Sequence, residues 1–141
     1  MAILADPSAT NWQTETRVMA CVGYNPLSQR LIHTAARLAQ AFEGRLYVVH
    51  IAREESTAPG YLAMLNQNLE LARQLGATIL QEKGDQVPSC LARVAQQHAI
   101  THIVMGESAR SRLEEVMQGS LARQFLQATS GIDLYIVADQ A

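Results

Sequence analysis

From residue 17 onward the chain alternates short continuous apolar runs with longer segments in which apolar side chains return every three or four positions. Val18-Met19-Ala20-Cys21-Val22 is the first run, closed by Gly23, Asn25 and Pro26. A run of this kind predicts a strand buried on both faces. Leu31, Ala35, Leu38, Ala39 and Phe42 then recur at helical spacing up to Gly44, read as the residue that stops the helix. Residues 46–51 predict a second strand. After a polar loop ending in Pro59-Gly60, Leu62, Leu65, Leu69 and Ala72 form a second helical stripe that stops at Gly76. Residues 77–80 predict a weaker third strand. Gly84-Asp85 makes a turn, Val87, Leu91, Val94, Ala95 and His98 mark a third helix, and residues 101–105 predict a fourth strand. Leu121, Phe125 and Ala128 face inward on a last helix, and residues 132–138 predict a fifth strand.

Strands that alternate with helices of this length demand right-handed crossovers, so the expected class is α/β: a single doubly wound, five-stranded parallel sheet, Rossmann-like, in the order 3-2-1-4-5. Ligands bind such sheets beyond the C-terminal strand ends, where the strand order reverses. With this order the switch lies between strands one and four, and the loops 23–28 and 106–112 converge there. Residues 1–16 carry Pro7, Ser8 and Asn11 without a usable period and read as an N-terminal tail or linker, with the domain spanning 17–141. Trp12 either pins this tail to the domain surface or sits in loosely ordered chain.

The length of 141 residues suits one domain with a core of its own, needing neither disulfide nor metal. A formal net charge of −2 argues against nucleic acid as the main partner. Cys21 and Cys90 have no CxxC spacing and read as small core residues in a reducing compartment. The longest apolar run, 46–52, is broken by His50 and is too short to insert into a membrane. No basic segment followed by an apolar one marks a secretory signal, so a cytoplasmic location is expected. His33, His50, His98 and His102 do not fall at metal-ligand spacing, and no metal is expected. Catalytic residues are not expected either. The chain lacks a Gly-x-Ser-x-Gly elbow, a Gly-x4-Gly-Lys-Ser/Thr loop and a cysteine beside a base, and Glu107 is a lone carboxylate.

The chemistry that does stand out lies in residues 103–120. A strand ends at Gly106, a polar loop follows, and Gly119-Ser120 opens a helical segment, the layout in which backbone N–H groups meet a phosphate. Arg110 and Arg112, with Ser108 before them on the loop, either clamp a phosphate or form a solvated loop paired with Glu114 and Glu115. Ser120 caps its helix, and a phosphate could share the same N–H groups. From the other side come Gly23, Tyr24 and Asn25 after strand one and His50 at the end of strand two. Tyr24 either stacks on a base or fills the pocket.

The spacing Gly106-x2-Ala109-x9-Gly119-Ser120 resembles the Gly-x2-Gly-x9-Gly-Ser/Thr pattern of nucleotide-binding universal stress proteins, with Ala109 in place of the second glycine. The resemblance covers about residues 17–138 and includes Val18 to Val22, Gly84-Asp85 and Ile103-Val104-Met105-Gly106. A closer resemblance is to the stress-protein-like cytoplasmic module of the KdpD family of potassium-responsive sensor histidine kinases. It rests on Arg30-Leu31-Ile32, Ala35-Ala36-Arg37-Leu38-Ala39, Ala109-Arg110-Ser111-Arg112 and Gly131-Ile132-Asp133-Leu134. The resemblance implies a non-enzymatic signalling module that acts through ligand or partner binding in potassium or osmotic regulation. The alternatives are a free-standing ATP-binding stress protein and, third, a nucleotide-hydrolysing or adenylating enzyme. Gly23 stands where nucleotide-binding members carry an aspartate. Gly23-Tyr24-Asn25 and Leu46-Tyr47-Val48-Val49-His50 replace the Ser-x-Ser and Phe-Thr-Ala-x-Tyr signatures of cyclic di-AMP binding. The expected cofactor is therefore at most weakly bound ATP or another adenine nucleotide. Expected partners are a second copy of the chain, paired through the strand 132–138, and a kinase or another stress protein.

Overall fold

The computed structural model describes residues 15–23, 25–52, 59–84, 87–107 and 127–138. The elements are β1 (Arg17–Cys21), α1 (Ser28–Ala41), β2 (Arg45–Ala52), α2 (Pro59–Gln74), β3 (Thr78–Lys83), α3 (Val87–Gln97), β4 (His102–Gly106) and β5 (Asp133–Val137). The strands form one sheet in the order β3-β2-β1-β4-β5, and each neighbouring pair is parallel. This is the parallel Rossmann-like architecture that the apolar pattern predicts, in the doubly wound order expected for it.

Successive strand residues point to opposite faces, and the two sets divide cleanly. Val18, Ala20 and Val22 of the central strand join Leu46, Val48 and Val104 against Leu31, Ile32, Ala35 and Ala39 of α1 and Leu65, Leu69 and Ala72 of α2. Met19, Tyr47, Val49, Ile103 and Met105 face the other way, onto Cys90, Leu91, Val94 and Ala95 of α3 and onto Ile100. Val18, Met19, Ala20, Val48, Ile103 and Val104 are fully shielded from solvent. Each large side chain buried in this way stabilises the fold by about 1.5–3 kcal/mol relative to exposure, so the centre of the sheet carries the hydrophobic driving force.

Several boundaries differ from the expectation. β3 runs on to Lys83, with Gln81, Glu82 and Lys83 in register with His50, Ile51 and Ala52; at a sheet edge these polar residues can pair through the backbone while their side chains meet water. α2 starts at Pro59 itself, where a fixed φ and a missing N–H suit the first helical position. Leu62, expected on the buried stripe, is exposed, and Asn68 occupies a fully buried place on it. Phe42 is likewise exposed on one side, its ring stacked on that of His102 at 5.3 Å between centroids. Leu121 and Phe125 of the expected last helix lie outside the described residues; residues 127–128 are helical.

The helix ends also correct the reading of Gly44. Glu43, at φ 53°, takes the left-handed position after α1, and the Gly44 N–H donates back to the Ala39 carbonyl at 2.8 Å. Ala99, at φ 52°, does the same after α3, with Ile100 N–H on the Ala95 carbonyl at 2.9 Å. Only after α2 does the expected glycine, Gly76, hold the left-handed place. Gly44 serves close approach instead. A β-carbon built there would run into the Thr16 carbonyl group, whose oxygen accepts the Arg45 N–H at 2.9 Å.

This edge of the sheet is fastened further by charge. Glu15 bridges Arg17 at 3.2 Å and Arg45 at 2.9 Å, and the Arg17 guanidinium donates to the His98 carbonyl at 3.0 Å. Partial desolvation acts to raise the Glu15 pKa, but the hydrogen bonds and charges of Arg45 and Arg17 outweigh it and hold the carboxyl below its ordinary value. Gly44→Ala should push Thr16 off the start of β2 and lower stability by about 1–3 kcal/mol, the usual cost of forcing an extra carbon into a packed site. Urea denaturation would check this, and an unchanged midpoint would mean that the chain before β1 moves aside at no cost.

Candidate functional site

All five strands are parallel, so their C-terminal ends share one edge, and the sheet order reverses between β1 and β4. Crossovers leave this switch point in opposite directions and open a crevice. Ala20 is in register with Val104, which brings Gly23, three residues on, to the same edge as Gly106, two residues on. The loop after β1 is therefore the described wall of the crevice.

That loop is built from hydrogen bonds to its own backbone. Asn25 Oδ1 accepts the Leu27 N–H at 2.8 Å, and the Asn25 carbonyl accepts the Ser28 N–H at 2.9 Å, which turns the chain into α1. The Gln29 and Arg30 N–H groups donate to the Pro26 and Leu27 carbonyls at 3.1 and 3.0 Å. Because the first turn of α1 spends these donors internally, its N-terminus has fewer left for an anion.

Three polar side chains from different elements then fix the loop. Ser28 Oγ accepts the Gly23 N–H at 3.2 Å. His50 on β2 places Nδ1 2.9 Å from the Val22 carbonyl, which can only accept, so this nitrogen carries the proton. Asn68 on α2 donates both amide hydrogens, to the Gly23 carbonyl at 2.9 Å and the Asn25 carbonyl at 3.2 Å. The described residues include four buried polar side chains, Ser28, His50, Asn68 and Thr129, and the first three all bond to this one loop. Asn68 Oδ1 is buried without a hydrogen-bond partner. Below the loop, burial pushes the Cys21 thiol up to about 12, so it stays protonated and inert at neutral pH.

Of the residues singled out from sequence, Gly23, Asn25 and His50 come together here, and Gly106 ends the neighbouring β4. His50 reaches the loop from beneath, holding its backbone. Tyr24, Ser108, Ala109, Arg110, Arg112, Gly119 and Ser120 lie outside the described residues. Ser28 and Asn68 were not legible as site residues, although Asn68 carried a signal: it stands three residues after Leu65 and one before Leu69, a polar residue on the apolar face of its helix. Among the described residues, no three His, Cys, Asp or Glu side chains gather as a metal ion would require. Nor is any described helix long and apolar enough to cross a membrane. A cleft of about 520 Å³ lies at the opposite end of the sheet, between the C-terminal ends of α1 and α2, lined by residues such as Ala36, Gln40, Arg45 and Thr78. It is remote from the switch point and lacks the convergent polar groups found there.

Residues 15–134 match the model of the universal stress protein family. The chain is 33% identical over 138 residues to the sensor protein KdpD of Mycobacterium tuberculosis, an alignment covering 97% of this chain and 16% of that protein. The chain thus spans about a sixth of the length of that relative. Among solved structures, a universal stress protein in complex with cAMP superposes with a TM-score of 0.63 at 18% identity, over 89% of this chain and 98% of that one. The universal stress protein from Archaeoglobus fulgidus in complex with dAMP gives a TM-score of 0.54 at 18% identity, over 86% and 96% of the respective chains. At these identities the two structures establish likeness of fold.

A β-carbon built on Gly23 meets nothing within 4 Å, and the backbone there is not left-handed. Gly23→Asp should therefore fold with its stability changed by no more than about 0.5 kcal/mol, since the added side chain meets open space and both backbone bonds of the residue can stay. A thermal or urea midpoint would check it, and a large loss would mean that the loop tolerates no side chain at this position.

Proposed function

The chain belongs to the universal stress protein family, and from that premise we propose that it is a regulatory module of the KdpD type, signalling through ligand or partner binding rather than catalysis. The observation that carries this reading is the likeness to KdpD, which runs through 97% of this chain at 33% identity. A role in potassium or osmotic regulation is the reading that follows from it. The ligand we propose is an adenine nucleotide, weakly held. Supporting this class are the cAMP and dAMP in complex with the two fold neighbours, and, in the sequence, the Gly119-Ser120 pair and the arginines at 110 and 112. Weakness follows from Gly23, which brings no carboxylate to the crevice, and from Ala109, which adds a methyl group where the family pattern has glycine.

Calorimetry and thermal shift with ATP, AMP, cAMP and cyclic di-AMP test the proposal, since a ligand that binds the folded state alone must raise its apparent stability. ATP should bind with a Kd weaker than about 1 μM. Gly23→Asp with Ala109→Gly should tighten it, and Arg110→Ala with Arg112→Ala should abolish binding while leaving the melting temperature unchanged. Submicromolar ATP binding by the unaltered chain, or full affinity in the double arginine variant, would overturn the assignment.

We further propose self-association through β5. This strand lies at the end of the sheet order, paired with β4, and carries Leu134 and Tyr135 at 49% and 48% exposure with no proline to block further pairing. Sedimentation should find a dimer at tens of micromolar that Leu134→Arg dissociates. A monomer at that concentration would refute it.

A further inference from the structure

The buried amide of Asn68 is not explained by packing. Its neighbours on α2, Leu65, Leu69 and Ala72, fill the interface with the sheet, and Asn68 stands among them with no exposed surface. A leucine of similar size would suit that environment. The amide instead leaves Oδ1 buried without a hydrogen-bond partner, a cost that few native side chains carry without a reason. The return on that cost lies in the other half of the group. The two Nδ2 hydrogens reach the carbonyls of Gly23 and Asn25, at 2.9 and 3.2 Å, on either side of position 24. One planar group with two fixed donor directions sets the distance and tilt between two peptide units.

We propose that Asn68 is the positioning residue of the loop after β1: it sets the loop backbone in the shape that receives the ligand, at a net expense in stability. The ligand part of this proposal rests on the nucleotide reading given above. The loop part stands on the geometry alone. Ser28 and His50 restrain the loop at Gly23 N–H and at the Val22 carbonyl, whereas Asn68 is the described side chain that grips the backbone of both Gly23 and Asn25. Removing its donors should free the loop without loosening the sheet beneath. The Asn25 carbonyl keeps the Ser28 N–H, so α1 still starts where it does.

The experiment compares the full chain with Asn68→Leu, and with Asn68→Ala as a second variant that introduces no new bulk. Amide hydrogen exchange is followed by NMR. In both variants the Gly23 and Leu27 amides should exchange about tenfold faster or more, while those of Ser28, β1, β2 and β4 keep their rates, the pattern of a local opening. The melting temperature of Asn68→Leu should equal or exceed that of the unaltered chain, because the orphan acceptor is gone. A purely structural role gives the opposite pattern: a lower melting temperature and faster exchange throughout. That pattern, unchanged exchange in the loop, or failure of both variants to fold would overturn the proposal.

ATP titration of the same proteins then reads the ligand part. The Kd should rise by about tenfold or more in Asn68→Leu, as expected when a preformed loop must be ordered on binding. Equal affinity in the variant and the unaltered chain would overturn that part. If the unaltered chain binds no ATP, the nucleotide reading fails, and the exchange rates still decide whether Asn68 positions the loop.

Discussion

A parallel sheet must be covered on both faces, because every crossover lays a helix across it and no strand can leave one side to water along its whole length. In this chain that constraint falls hardest on β1, the middle strand, whose Val18, Met19 and Ala20 are closed off entirely by α1 and α2 on one face and α3 on the other. Polar groups are driven out of the centre and toward the strand ends, where the ladder stops and backbone groups need new partners. The parallel arrangement also collects all the C-terminal ends on one edge. What the core forbids elsewhere is therefore concentrated at the place where the topology opens a crevice.

The two edges solve the same problem with different chemistry. At the N-terminal edge the chain before β1 is held by ions, with Glu15 between Arg17 and Arg45. Such exposed pairs are weak and are screened by salt. The close fit of Gly44 against Thr16 gives that edge a shape restraint that salt does not touch. At the C-terminal edge the loop after β1 is held by a serine, a histidine that donates through Nδ1, and an amide. These are short-range and directional, and they hold backbone positions rather than balance charge. Ionic strength should thus affect the two ends unequally.

Much of this was legible in the pattern of apolar residues. Runs such as 18–22 and 103–105 mark strands buried on both faces, and their alternation with helical stripes leads to a parallel sheet, for which the doubly wound order 3-2-1-4-5 is the expected arrangement and the one observed. The failures have local physical causes. The apolar pattern stops short of the end of β3 because that end is polar, and an edge strand can pair through its backbone while its side chains stay wet. Gly44 has the look of a stop signal, yet Glu43 and Ala99 take left-handed positions that glycine usually holds, because tertiary packing can offset a penalty of about 1–2 kcal/mol. Leu62 and Asn68 exchanged roles: periodicity counts apolar letters, and the face of α2 that turns inward includes a polar one. Topology brings Gly23, Asn25 and His50 to one edge of the sheet, but Asn68 reaches that loop from a helix 45 residues beyond Gly23 and 43 beyond Asn25, a relation that no local pattern encodes.

The convergence of three buried polar side chains on one short loop also bears on how a change at that loop would spread. A loop held from β2, from α2 and from the start of α1 cannot shift without disturbing at least one of them. Of these, β2 is locked between β1 and β3, and α1 packs closely on the central strand. α2 lies farther from the centre and reaches the loop through an amide whose own carbonyl is unsatisfied. A ligand or partner that altered the loop would be met by a stiff sheet on one side and a more yielding helix on the other, so displacement should pass preferentially into α2. Transmission of this kind needs no large motion, only two arrangements of one contact that differ little in free energy.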